Sequence, residues 1–79
     1  MKLGKIQVEV LKCLQRNGMY AHGISGWVWG THSATRRTLD ALRKKGAVKM
    51  EHREPYHGSV ITRDVYTITP EGLKALEKQ

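Results

Sequence analysis

Arg36, Arg37, Arg43 and Lys44 fall within nine residues of one another. A guanidinium is a planar fork of donors that suits carboxylates, phosphates and the O6/N7 edge of guanine. At about 100° per residue, Ser33, Arg36, Arg37, Asp40, Arg43 and Lys44 share one arc of a helix. Ala34, Thr35, Thr38, Leu39, Ala41 and Leu42 share the other. A short helix with an apolar underside and an outward row of cations can deliver side chains to a nucleic-acid groove. The same division also describes an ordinary solvated helix, and the segment alone does not separate the two. The helix is expected over 33–45. Ser33 or Thr31 caps its start, and Gly46 stops it after a cationic last turn, as the helix dipole favours.

Charge outside that helix extends the picture. The chain has a formal charge of +7 and an isoelectric point near 9.9, which calls for an anionic partner such as nucleic acid, an acidic protein face or a membrane surface. Between His32 and Arg63 lie eight of the 14 Lys and Arg residues against three acids. The excess is therefore regional rather than a general solubility coat. With 79 residues the chain is read as one small domain, 1–79, burying only about 60% of its unfolded surface. That leaves no room for an enzyme cleft with its own walls.

Catalytic and metal chemistry find little support. His22, His32, His52 and His57 have no paired ligand spacing, and one cysteine cannot build a thiolate cage. His52 can approach Asp64 across a hairpin, which reads as a surface pair. No nucleophile, base and orienting group can be assembled, so neither an enzyme nor a cofactor is expected. Cys13 excludes an internal disulfide and fits a reducing compartment; its helical phase makes it a small core residue. No apolar run approaches the roughly 20 residues that span a bilayer, and no secretory leader is visible, so a cytoplasmic location is expected.

The positioning elements follow from periodicity. Leu3, Ile6, Val10, Leu11, Cys13 and Leu14 occupy an arc of about 160°, the core-facing stripe of a first helix over 3–16 that leaves Val8 exposed. Asn17-Gly18 ends it. From Met19 to His32, three glycines allow only a short helix, about 24–29, with Ile24, Trp27 and Val28 inward. Trp29 then points about 100° away, and a large exposed apolar side chain marks a possible partner contact. After residue 46 the period changes to 2. The run 47–53 places Val48 and Met50 on one face, and 60–69 carries Ile61, Val65, Tyr66 and Ile68. Residues 54–59 are a protruding loop with Tyr56 and His57 at its tip. Thr69-Pro70-Glu71 starts a last helix running to about Lys78, with Leu73 and Leu76 as its apolar pair.

Two stretches in this order of elements carry a resemblance. The run 35–48, T-R-R-T-L-D-A-L-R-K-K-G-A-V, and the run 66–73, Y-T-I-T-P-E-G-L, resemble the recognition-helix signature and the strand-to-helix join of MarR- and PadR-like regulators. The chain thus resembles the winged helix-turn-helix superfamily over nearly its whole length. The resemblance implies an α+β fold: a three-helix core, a two-stranded β-hairpin wing and a short C-terminal helix. Two departures stand out. The 19–32 region lacks the usual Ala-containing helix. The last helix has only about nine residues where those families dimerise through long terminal helices, so a monomer or weak homodimer is expected.

The resemblance also implies a transcriptional regulator reading double-stranded DNA with helix 33–45 in the major groove and the 49–63 wing on the backbone or minor groove. His32, Ser33, Arg36 and Arg37 would lie nearest the bases. Arg43, Lys44 and Lys45 would meet phosphates, and Asp40 would orient Arg36 one turn away or accept from a cytosine amine. Lys49, Arg53 and Arg63 would add charge on the wing, and Tyr56 and His57 would reach a groove or the backbone. A rival reading makes the same fold an adaptor for an acidic protein, such as a polymerase or nuclease subunit, as in phage-like proteins; Trp29 favours it. RNA binding lacks the pair of exposed strand aromatics that a stacking platform needs.

Overall fold

Helices begin where the chain offers a cap. The Thr31 hydroxyl accepts from the Ala34 N–H at 3.1 Å, and Thr69 does the same for Gly72 at 3.1 Å, with Pro70 and Glu71 in the turn that follows. At Gly4 the backbone N–H donates to the Gln7 side chain at 3.0 Å. A computed structural model describes residues 1–21, 25–53 and 63–78. Among them run α1 (Lys5–Asn17), α2 (His32–Lys44), β1 (Val48–Arg53), β2 (Arg63–Ile68) and α3 (Pro70–Glu77). The fold is α+β, three helices with one antiparallel hairpin.

The end of α2 leads directly into the hairpin. Gly46 N–H bonds to the Arg43 carbonyl and Ala47 N–H to the Leu42 carbonyl, both at 3.0 Å, which is the paired closure of a Schellman motif. β1 and β2 then pair in the register Val48↔Ile68, Met50↔Tyr66 and His52↔Asp64. Alternation puts Val48, Met50, His52, Asp64, Tyr66 and Ile68 on one face and Lys49, Glu51, Val65 and Thr67 on the other. Tyr20 adds a single-residue strand to this sheet: its N–H and carbonyl both bond to Tyr66, at 2.9 Å. The core is built from Val10, Leu11 and Leu14 of α1, Leu39 and Leu42 of α2, and Tyr20, Ala47, Val48 and Tyr66.

Several expectations change. The short helix over 24–29 is not formed at residues 25–29. Gly26 and Gly30 take φ of 78° and 76°, outside the helical region, so the segment is a loop and the described helices number three rather than four. Val28 is consequently exposed instead of inward, while Trp29 is half-buried against the core instead of standing out. Trp27 does turn inward. Its indole N–H donates to the Met19 carbonyl at 2.7 Å and its ring meets Tyr20 edge-on at 5.2 Å.

On α1 the buried arc, Val10, Leu11 and Leu14, is only about 100° wide. Ile6 lies at its margin and is 51% exposed, and Cys13 and Val8 are half-buried on either side. On α3 Gly72 and Ala75 are buried and Leu76 packs partly buried against the core as expected, but Leu73 is exposed. The reason is close approach. A Cβ at Gly72 would lie 2.2 Å from the Ala47 carbonyl oxygen and 2.9 Å from Ile68 Cγ1, so α3 is pressed onto the hairpin's root through small residues. Among the described residues no helix is long and apolar enough to cross a membrane.

Candidate functional site

The outer face of α2 is the feature the rest of the fold presents. Thr35, Leu39 and Leu42 are buried beneath it, which fixes the helix's rotation and turns Ser33, Arg36, Arg37, Arg43 and Lys44 to solvent. Ser33, Arg36, Arg37, Asp40, Ala41 and Lys44 line one open depression along the helix. Arg37 and Lys44 make no ion pair among the described residues, so their donors are available to an anion. His32, in the first turn, hydrogen-bonds through Nδ1 to the Tyr20 hydroxyl, which ties the helix start to the core.

Arg36 differs from its neighbour. Its Nη2 donates to Asp64 Oδ2 on β2 at 2.9 Å, and the other oxygen of that carboxylate meets His52 Nδ1 at 2.6 Å. The Tyr66 hydroxyl, on the same face of β2, donates to Asp40 Oδ1 at 2.9 Å. Hydrogen bonding to that hydroxyl, then the nearby negative charges of the cluster, push the Arg36 pKa above its ordinary value, with burial opposing. Burial pushes Tyr66 up, assisted by its bond to Asp40, and burial pushes Tyr20 up against the opposing charge of Arg36. A continuous polar run, His52–Asp64–Arg36–Tyr66–Asp40, thereby joins the hairpin to α2.

Three of the expected site residues have partners of their own. Asp40 is not the main holder of Arg36; it accepts from Tyr66 and lies 4.0 Å from Arg43. Lys45 caps the helix and turns back to the start of the chain, where Nζ donates to the Lys2 carbonyl at 2.8 Å and to Gln7 Oε1 of α1 at 2.7 Å, away from the depression. Lys49 lies on the hairpin face opposite His52 and Asp64, beside Glu51 at 3.3 Å. The side chains of Arg53 and Arg63, together with Tyr56 and His57, lie outside the described residues.

Asp64, Tyr66 and His52 belong to the site although the sequence reading gave them no role there beyond a surface pair. Period-2 alternation groups His52 with Val48 and Met50, but Asp64 and Tyr66 join that face through the hairpin register, which is set by the pairing of the two strands. Among the described residues no three His, Cys, Asp or Glu side chains converge as a metal ion would require. The chain matches no family model, no curated protein and no solved structure.

Proposed function

We propose that the chain is a small winged-helix protein that binds duplex DNA, with α2 in the major groove and the hairpin beside it, acting as a transcriptional regulator. The observation that carries this reading is the depression along α2, where Ser33, Arg37 and Lys44 stand exposed along the length of a well-capped helix. Tyr20 supports it too, since a third strand beside β2, preceding the helix in the chain, is the sheet arrangement a winged helix needs. The loop at 25–30 takes the place of the second helix of the motif. Trp29, which weighed toward an adaptor for an acidic protein, packs against the core, so duplex DNA stands first.

The test is the salt dependence of duplex binding, followed by fluorescence anisotropy. Phosphate contacts from Arg37, Arg43 and Lys44 give a slope of log K against log[salt] of about −2.7, at about −0.9 per contact. Arg37→Ala and Lys44→Ala each flatten it by about 0.9. Lys45→Ala leaves the slope where it was, because that ammonium is engaged with Lys2 and Gln7. Salt-independent binding, or equal loss from Lys44→Ala and Lys45→Ala, refutes the placement of α2.

A further inference from the structure

We infer that Asp64 is the positioning residue for base readout by Arg36, and so sets sequence preference without touching a base. The inference rests on the DNA-binding reading above and names the device by which that surface discriminates. Arg36 projects from α2 with 54% of its side chain exposed, whereas Asp64 projects from β2 with 25% exposed. Their contact at 2.9 Å crosses from helix to hairpin over 28 residues of chain. Each oxygen of the carboxylate has its own partner, Oδ2 taking Arg36 and Oδ1 taking His52 at 2.6 Å, so the carboxylate is itself held from the opposite strand.

Tyr66, two residues further along the same face, completes the holder. Its hydroxyl is beside Arg36 and donates to Asp40, one turn along α2. Asp64 and Tyr66, both on β2, therefore position one guanidinium from across the corner, while Arg37, the adjacent residue, has no ion pair among the described residues. A guanidinium carries five N–H donors, and the Asp64 contact engages Nη2, leaving donors for the O6/N7 edge of a guanine. A long side chain already held in place loses less freedom on binding than a free one. General attraction to phosphate is poorly served by a carboxylate on this face. Asp64 thus trades affinity for orientation, and Arg36 and Arg37 divide the work: the held one selects, the unpaired one attracts.

The experiment compares the duplex that the full chain prefers, obtained from a randomised pool, with a scrambled duplex. In Asp64→Ala, affinity for scrambled duplex rises as a negative charge leaves, and the ratio of preferred to scrambled binding falls by about tenfold, within what one base contact supplies. Arg36→Ala lowers the ratio to a similar level, and the double variant lowers it no further. Should Asp64→Ala fail to fold, Arg36→Lys takes its place: charge is kept, the fork is lost, and the ratio falls while the salt slope holds. Retention of the ratio in Asp64→Ala or Arg36→Lys, or additive losses in the double variant, overturns the inference. A wild-type chain that binds every duplex alike with a steep salt slope overturns it while leaving the proposed function standing. Absence of salt-dependent duplex binding overturns both.

Discussion

Thr35→Val isolates the contact that holds the Gly-Trp loop onto α2. Thr35 is fully buried, and its Oγ1 lies 2.9 Å from the Trp29 N–H, 2.9 Å from the Trp29 carbonyl and 2.8 Å from the Thr31 carbonyl. With one proton and two lone pairs, the hydroxyl accepts from Trp29 and donates to one carbonyl at a time. Valine has nearly the same shape and none of these bonds. Two net hydrogen bonds at about 1 kcal/mol each, plus the penalty for a poorly hydrated Trp29 N–H, give a loss of about 2–3 kcal/mol. For a domain of this size that lowers Tm by roughly 10–20 °C.

Urea unfolding followed by circular dichroism measures the loss, and an unchanged m-value confirms that the comparison is of like states. Thr35→Ser, which keeps the hydroxyl and loses a methyl, is the control and costs about 1 kcal/mol. If Thr35→Val stays within about 0.5 kcal/mol of wild type, or if Thr35→Ser is the more damaging, packing rather than hydrogen bonding secures the loop and the reasoning fails.

Two further outcomes are expected. Gly72→Ala forces a Cβ into the Ala47 carbonyl at 2.2 Å, a backbone group that cannot turn aside, so α3 shifts off the hairpin and stability falls by about 2 kcal/mol or more in chemical denaturation. At alkaline pH, Tyr20 and Tyr66 stay protonated in the folded chain above about 10, the ordinary value in the unfolded one. The folded state then binds more protons, so their contribution to stability is full below pH 10 and disappears as pH rises through the folded values. Tyrosinate absorbance in Tyr20→Phe and Tyr66→Phe, with urea midpoints at pH 8 and above 10, checks both the assignment and the sign.

Agreement between independent local signals decided what could be read in advance. Over α2 the cap at Thr31, the 3.6 period and the stop at Gly46 all coincide, and Leu39 and Leu42 are buried as the arc requires. Period 2 after Gly46 located the hairpin, and Thr69-Pro70-Glu71 located α3. Hidden features were those set by a distant partner. Leu73 looks like a core residue until Gly72 is seen against Ala47, because the helix that comes closest turns its smallest residues inward. Tyr20 makes one residue of sheet, and a single pairing has no period to detect. Asp64 reaches Arg36 across 28 residues, and nothing local to either side chain announces it.

Net charge and local pairing on this face govern different measurements. The formal charge of +7 sets the field through which an anionic partner is drawn in, and salt screens that field beyond about 8 Å. Counterion release in the complex instead counts the cations that meet phosphates. On α2 the cations free for that role are few, since Arg36 is held by Asp64 and Lys45 turns toward Lys2 and Gln7. Asp64 and Asp40, each engaged by a side chain from across the helix–hairpin corner, fix the geometry of this face while lowering its positive charge.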